Sequence, residues 1–308
     1  MYSILQKGFT ALLLAECFVG ITINVFIAAV QIRKWKAVRS LDSCDQILLC
    51  LGISRSFSLI NVSLDFIIRT FFPLTYEDLI FYSVVAISKM LLYYISFWLT
   101  TILCVFYCVK IANYNNPLFL YMKTRISRLV PRLIVASLLI SLAFTLPILY
   151  YHFHLHQQNS GNNFGGNVTM GSASLEKIYQ IQSLILILGT FLPFLVFCEA
   201  ISLLIQSLWL HTRQMRSSGT SFQSPKLEAH FSVVKSMTLF LCCQTIHFGC
   251  SVSMLSIKVY FASLWKVIFY ITICAPSCLH SLYMVYSNTK LKQAFVEMCN
   301  SFQRLIEM

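Results

Sequence analysis

Seven apolar blocks divide this chain, at roughly 9–31, 46–68, 79–109, 129–151, 178–210, 236–257 and 263–287. Each carries about the 20 residues that an α-helix needs to cross ~30 Å of hydrocarbon. A transmembrane barrel is excluded, because its segments would be shorter and alternating. The composition agrees: 57% of the residues are apolar and 11% charged, where a soluble domain has about 45–50% and 25%. Mean hydropathy is +0.73. The expected fold is therefore an all-α membrane protein, one seven-helix domain over residues 1–308. Blocks three and five are long enough to protrude into water. Residues 288–308 read as a short tail forming a juxtamembrane amphipathic helix. The first block holds Glu16 and Asn24 and lacks a small-residue cleavage site, so it is expected to remain as helix one rather than leave as a signal peptide.

Orientation follows from the basic residues, which concentrate on the cytoplasmic side of membrane proteins. The connection after block one carries Arg33, Lys34, Lys36 and Arg39, and the one after block three Lys110, Lys123, Arg125, Arg128 and Arg132. The connection after block five carries Arg213, Arg216, Lys226 and Lys235, and the tail Lys290, Lys292 and Arg304. The other side has only Lys7, Arg69, Lys177, Lys258 and Lys266. The N-terminus is thus expected outside and the tail inside. The net charge of +12 reads as contact with anionic lipid, at ~1 kcal/mol per basic residue, and not as a nucleic-acid signal.

Ten of the twelve cysteines fall within the blocks, with Cys44 and Cys299 on the cytoplasmic side. The long outer connection 152–177 contains none, so no disulfide can staple it to block three. No paired C-x-x-C spacing marks a metal site, and the thiols read as small packing residues. No cofactor is expected. The same connection is rich in Gly, Asn and Ser and carries the sequon Asn167-Val168-Thr169, expected as a glycan site. Asn61-Val62-Ser63 also matches but lies within block two, hidden from the transferase. His152, His154 and His156 share a face only if extended. With no acid or cysteine beside them, they are expected to form a solvated polar cap on helix four rather than a zinc site.

Ionisable residues inside the blocks are informative because each must be compensated or used. Arg55, nine residues into block two, must find acceptors in the bundle interior. By depth the candidates are Asn24 and the His280-Ser281 pair, and the assembly reads as a structural hub. Asp65 and Lys89 lie at comparable depth on neighbouring helices, and two arrangements stay open: an ion pair, or two side chains reaching the outer interface separately. Glu199 sits six residues beyond Pro193 with no evident partner, and is expected to hold its proton because desolvation disfavours the charged form. At helical spacing, Lys89, Tyr93 and Phe97 share a face, as do His247 with Ser251, Tyr270 with Cys274, and Gln182 with Leu186 and Gly189. Together they outline an aromatic, weakly polar cavity open to the outer side, suited to small amphipathic molecules.

Six segments in order carry a resemblance. They are ECFVGITINVFI in block one, LGISRSFSL around Arg55, FYCVKIANYNNPLFLYMK at the end of block three, LPF followed by LLIQSLWLHTRQM in block five, SPKLEAHFSVVKS after it, and PSCLHSLYMVYSNTKLKQ in block seven. The chain resembles the type 2 (bitter) taste receptors, a seven-helix G-protein-coupled receptor family. The resemblance implies a multi-pass plasma-membrane protein of chemosensory cells, and not an enzyme. Its partners would be small bitter agonists, a heterotrimeric G protein of the gustducin (Gi) type, and membrane lipids, sterol among them. It implies a ligand-binding set of Asp65, Phe66, Lys89, Tyr93, Phe97, Gln182, Leu186, Gln244, His247, Ser251, Lys266, Tyr270 and Cys274. It implies switch residues Asn24, Arg55, Tyr107, His280 and Ser281. Lys110, Lys123, Arg125, His211, Arg213, Met215, His230 and Lys290 would face the G protein.

The chain departs from the family pattern where it matters for ligand choice. Lys89 and Tyr93 align where many members have Trp and Asn, Gln244 stands where many have Tyr, and His247 occupies a position usually aromatic or aliphatic. Anionic or hydrogen-bonding ligands are expected unless Asp65 neutralises Lys89. Two other readings fit part of the pattern. A type 1 vomeronasal (pheromone) receptor shares the seven-helix plan, but the K-I-A-N stretch and the S-R of block two weigh against it. A small-solute transporter could bury the same charges, but it would tend to show repeated halves and Gly/Pro-broken helices.

Overall fold

A lipid interior cannot hydrogen-bond to the backbone, so each spanning segment must satisfy its own N–H and C=O groups, and it does so as a helix. The computed structural model describes residues 2–72, 79–112, 114, 116–162, 172–217, 225–256 and 262–306. These form eight helices: α1 Tyr2–Val38, α2 Ser43–Phe71, α3 Leu79–Ile111, α4 Pro117–Asn162, α5 Ser172–Ser217, α6 Pro225–Ser256, α7 Ala262–Ser287 and α8 Thr289–Ile306. Seven are long and apolar enough to cross a membrane, and each expected span falls on its own helix.

The helices outrun the apolar blocks. Both α4 and α5 have 46 residues, so much of the segment expected as an outer loop is helical, including 152–162 and 172–177. On the other side α6 begins at Pro225 and takes in most of the segment SPKLEAHFSVVKS. Asn167 lies outside the described residues.

The ring closes by α1 packing on both α2 and α7, while α3 runs through the middle against α2, α4 and α5. Gly52 permits the α1–α2 contact: a Cβ there would stand 2.9 Å from the Asn24 carbonyl oxygen and 3.3 Å from the Ala28 side chain. The end of the bundle bearing Lys34, Lys110 and Arg213 is termed here the basic end. Toward it lies a core around Ile27, Leu51, Leu103 and Leu204. A second core around Leu59, Tyr93, Tyr94 and Ile148 fills the opposite half.

After α7 the chain turns sharply into α8. The Asn288 Oδ1 accepts the backbone N–H groups of Lys290 (3.0 Å) and Leu291 (3.3 Å), a cap for the new helix. Leu291 is buried, the Phe295 ring meets Phe26 edge-on at 5.5 Å, and Lys290, Lys292 and Arg304 are exposed. This tail helix is therefore amphipathic.

Candidate functional site

The fully buried Arg55 joins three helices. One guanidinium nitrogen donates to the Ser281 hydroxyl (2.8 Å) and to His280 Nδ1 (2.9 Å), and the other to the Thr100 hydroxyl (2.9 Å). Since arginine only donates, His280 Nδ1 must be an acceptor. Ser281 passes the connection on, donating to Asn24 Oδ1 at 2.8 Å. The Asn24 amide in turn reaches the Gly20 (2.7 Å) and Ser277 (3.2 Å) carbonyls. Thus α1, α2, α3 and α7 meet at one polar knot. Depth in the sequence points to Asn24, His280 and Ser281 but not to Thr100, which lies three residues past Phe97 on the neighbouring helix.

One step toward the far end, Lys89 Nζ donates to Asp65 Oδ2 at 2.8 Å. The Tyr270 hydroxyl donates to the same oxygen, and Lys89 also lies 5.2 Å from the centre of the Tyr270 ring. Phe66 packs edge-on against that ring at 5.8 Å. The ion pair is therefore the arrangement adopted. It neutralises Lys89, so the expectation of an anion-preferring site is withdrawn.

A narrow cleft with a free volume of about 10 Å³ lies between α3, α5 and α6. Tyr93 and Phe97 supply one wall; Leu186, Ile187, Thr190 and Phe194 the second; Gln244, His247, Phe248 and Ser251 the third. The free volume is room for about one water and far below the ~300–1,000 Å³ usual for small-molecule sites, so a ligand must spread these side chains apart. Its polar groups are specific. Gln244 Nε2 donates to the Tyr93 hydroxyl at 2.8 Å. The His247 ring, 2% exposed, touches Thr272 through Nδ1 at 3.4 Å, while its Nε2 is buried without a partner among the described residues. Ser251 donates to the His247 carbonyl at 2.9 Å.

Of the residues expected to bind ligand, six line this cleft: Tyr93, Phe97, Leu186, Gln244, His247 and Ser251. Asp65, Phe66, Lys89 and Tyr270 form the adjoining cluster and lie outside its lining. Cys274 is engaged with Cys17, sulfur to sulfur 3.7 Å, where α7 meets α1. The Lys266 side chain lies outside the described residues. Gln182 turns away: its Nε2 meets His152 Nε2 at 3.1 Å, and its Oε1 accepts the Tyr82 hydroxyl at 3.2 Å. His152 also contacts the Ser83 hydroxyl at 2.8 Å and is buried. It is thus a cross-link between α3, α4 and α5, not part of a solvated cap; His154, two positions along a helix, is exposed. Gly189 turns toward Tyr94, whose ring a Cβ would approach to 2.7 Å. Asn61 is bonded to Ser88 at 2.7 Å, in keeping with a buried sequon.

The cleft floor continues into the arginine knot. The Phe97 ring lies 5.8 Å from Phe240, which lies 5.3 Å from the His280 ring and 5.8 Å from the Arg55 guanidinium carbon. Phe197 of α5 packs on Phe240 as well, at 5.2 Å. Sequence reasoning did not single out Phe240, although it sits one turn from Gln244 on the same helix face.

At the basic end, the Tyr107 hydroxyl meets the Cys44 thiol at 3.5 Å, and Tyr114 donates to the Leu203 carbonyl at 2.7 Å. Burial raises the Tyr114 phenol above its ordinary value. Lys34 binds Asp42 at 3.1 Å and Asp45; the lysine holds the exposed Asp42 carboxyl below the ordinary range. Lys123 caps α3, donating to the Ala112 carbonyl at 3.1 Å. Arg125 lies over the Tyr121 ring at 4.6 Å. Lys110, Arg213 and Lys290 are exposed, while the side chains of His211, Met215 and His230 lie outside the described residues.

Seven spanning helices around a narrow cleft, joined below it by a buried polar knot, have the architecture of a seven-transmembrane receptor bundle. A family profile described as taste receptor protein (TAS2R) matches residues 1–303, and the chain belongs to the type 2 (bitter) taste receptor family. It is 30% identical to taste receptor type 2 member 9 of Pongo pygmaeus over 315 residues, covering 99% of this chain and 97% of that protein. It is 33% identical to taste receptor type 2 member 7 of Rattus norvegicus over 287 residues (91% and 90%). With taste receptor type 2 member 40 of Gallus gallus it shares 30% over 299 residues (95% and 94%). The relatives are receptors and not enzymes, and the chain is a multi-pass membrane protein.

Proposed function

We propose that the chain detects small bitter compounds in the cleft between α3, α5 and α6 and activates a gustducin-type (Gi) heterotrimeric G protein from its basic end. In this reading the N-terminus faces outward and the tail inward, in the plasma membrane of chemosensory cells. Asn167 carries a glycan on the outer side, and inner-leaflet lipid holds the basic rim. The observation that carries the proposal is the unbroken contact from Phe97 through Phe240 to Arg55 and His280. A ligand that spreads the cleft must displace Phe97, and close-packed interiors transmit such shifts because they lack room to absorb them. Phe240 then moves against the knot that ties α2 to α3 and α7.

Energetically, an agonist acts only through better binding to the active arrangement. Moving two states from 1:99 to 99:1 takes ~5.5 kcal/mol of differential affinity. A shallow cleft with few polar contacts supplies part of that, and G-protein binding at Lys110, Lys123, Arg125, Arg213 and Lys290 supplies the rest by reciprocal coupling. His211, Met215 and His230 belong to the same proposed surface. With Lys89 neutralised, the ligand is an uncharged amphipathic molecule that hydrogen-bonds to Gln244, Tyr93 and His247 Nε2.

The test is a broad screen of bitter compounds on cells expressing the receptor with a chimeric gustducin-like Gα, reading intracellular calcium. The expected result is ligand-evoked calcium that disappears without the chimera. Calcium signals independent of any Gα, or radiolabelled ligand uptake in its absence, would refute the proposal.

A further inference from the structure

At the basic end, α4 turns a column of arginines away from the bundle. Its bundle side is marked by the buried Ile126, Val130, Ser137 and Ser141. Arg125, Arg128 and Arg132 recur at three- and four-residue steps on the opposite side, and all three are exposed. Seven residues at 1.5 Å each make the column about 10 Å tall. Its depth is fixed by its neighbours. Lys123, on the bundle side, donates to the Ala112 carbonyl at the end of α3 (3.1 Å), and the apolar block of α4 opens near residue 129. Arg128 therefore lies level with lipid headgroups. Arg132 starts one turn deeper, where a long basic side chain turns its charged head back toward the surface.

The column is electrostatically incomplete. Like charges three and four residues apart on a helix repel, and no carboxylate among the described residues answers these. Neither Arg128 nor Arg132 has a hydrogen bond or ion pair there, and the nearby acids Asp42 and Asp45 are held by Lys34. Arg125 donates one N–H to the Tyr121 hydroxyl at 3.0 Å, out of the five donors a guanidinium carries. Beyond the arginines the same side of α4 continues as Val135, Leu139 and Leu142, 47–62% exposed. One helix side thus offers a stack of cations and then an apolar strip.

We propose that this side of α4 binds a polyphosphorylated inositol lipid, with its headgroup on Arg125, Arg128 and Arg132 and its acyl chains along Val135, Leu139 and Leu142. The inference rests on the reading of the basic end as cytoplasmic, and it narrows a general attraction to anionic lipid to one site and one ligand class. Charge complementarity selects the occupant. A guanidinium grips two phosphate oxygens at once, where a lysine acts as a point charge. Three such forks outnumber the phosphodiester and carboxylate of a phosphatidylserine headgroup. They match a headgroup with a phosphodiester at its acyl end and phosphomonoesters farther out. The diester lies deepest and meets Arg132, and the monoesters reach Arg128 and Arg125. Basic clusters just cytoplasmic of a spanning helix suit such lipids. A free inositol phosphate would satisfy the arginines but make no use of the apolar strip.

The test titrates purified full-length receptor, in detergent–phosphatidylcholine micelles, against fluorescent short-chain phosphatidylinositol bisphosphate, read by anisotropy. Neither agonist nor G protein is present, so failure here would leave the receptor reading standing. Wild type is expected to bind saturably. Arg128→Gln/Arg132→Gln should bind about thirtyfold more weakly, since each basic residue at an anionic surface contributes roughly fivefold. Arg128→Lys/Arg132→Lys keeps the charge but loses the forks, and should bind about threefold more weakly. Arg304→Gln, at the far end of α8, should stay within about twofold of wild type. Arg128 and Arg132 support nothing in the fold, so both double variants should keep the wild-type melting temperature without the lipid. Unchanged affinity in Arg128→Gln/Arg132→Gln would overturn the proposal. An equal loss in Arg304→Gln, or displacement by phosphatidylserine at equal total charge, would mean diffuse attraction and overturn it too. So would displacement by soluble inositol trisphosphate at the concentration of the lipid, which would make the ligand a free anion.

Discussion

Removing Lys89 should harm this receptor more than removing Asp65, although the two residues form one ion pair. The asymmetry comes from their exposure: the Asp65 side chain is fully buried, whereas 18% of the Lys89 side chain is exposed. In Lys89→Met the buried Asp65 carboxylate loses its cation and keeps the Tyr270 hydroxyl. Breaking a buried pair from one side typically costs ~3–5 kcal/mol. An escape is available, since Asp65 can take a proton. At pH 7 that costs about 4 kcal/mol for a group of ordinary pKa ~3.9, which caps the penalty. In Asp65→Asn the stranded cation is a flexible lysine whose head can swing toward water, and the new amide still accepts the Tyr270 hydroxyl. That variant should lose only ~1–2 kcal/mol, in line with a hydrogen bond to a charged group. The double variant Asp65→Leu/Lys89→Met removes both charges and should be more stable than Lys89→Met alone, because well-packed apolar replacements of buried pairs are often neutral. Unfolding free energies of the four purified proteins in mixed micelles would measure this, with surface display in cells as a second readout. If Asp65→Asn cost as much as Lys89→Met, or the double variant were the worst of the three, the pair would not be organised as described.

Other consequences concern signalling, packing and processing. Phe240→Ala should raise the half-maximal agonist concentration about tenfold, ~1.4 kcal/mol, relative to surface-expressed receptor. Phe240→Leu should cost less than about threefold, and unchanged potency in Phe240→Ala would break the link from cleft to knot. Gly189→Ala should destabilise by ~1–3 kcal/mol through overpacking. The added Cβ meets the Tyr94 ring at 2.7 Å, and that ring is anchored by its hydroxyl to the Ile185 carbonyl at 2.8 Å; a wild-type melting curve would refute this. His247→Phe should leave folding intact, since only a 3.4 Å contact to Thr272 is lost, but should abolish responses to ligands that hydrogen-bond in the cleft. Retention of the full agonist profile would exclude His247 as a ligand contact. Asn167→Gln should increase gel mobility by one glycan and remove sensitivity to glycosidase, and no shift would leave the outer loop unmodified.

The spans were legible because hydrocarbon leaves the backbone a single local solution, and hydropathy reports it directly. Their ends were not. The stretch HFHLHQQNSGN reads as loop by composition, yet α4 continues through it to Asn162, a helix already nucleated needing little further encouragement. Depth was equally legible: it brought Asn24, His280 and Ser281 to Arg55 and set Asp65 level with Lys89, while leaving open whether those two pair. Rotation was not. Gln182, Leu186 and Gly189 share a helix face in the sequence, but Leu186 alone enters the cleft. Gln182 is drawn off by His152 and Tyr82, and Gly189 lies against Tyr94. One turn of rotation decides such cases, and it is fixed by partners on other helices that a single chain of letters does not order. The triple histidine shows the same limit, since a helical segment separates His152 from His154 by 200° where an extended one would align them.

The partners of Arg55 bear on how the receptor switches. No carboxylate among the described residues pairs with this buried cation; it is held by two hydroxyls and an imidazole. An ion pair would resist separation, because pulling it apart leaves two desolvated charges. Neutral acceptors are exchangeable: if α7 shifts and Ser281 leaves, a different hydroxyl, carbonyl or water can take its place at the cost of about one hydrogen bond, ~1.5–3 kcal/mol for a charged donor. That is within the range that ligand and G protein together can supply. Thr100→Val tests the idea directly, since it removes one acceptor without changing shape and leaves Arg55 bound to α7 alone. The expected outcome is a shift in agonist-independent calcium signalling with surface expression preserved. Unaltered basal and evoked signalling would mean that the contact between α2 and α3 takes no part in the switch.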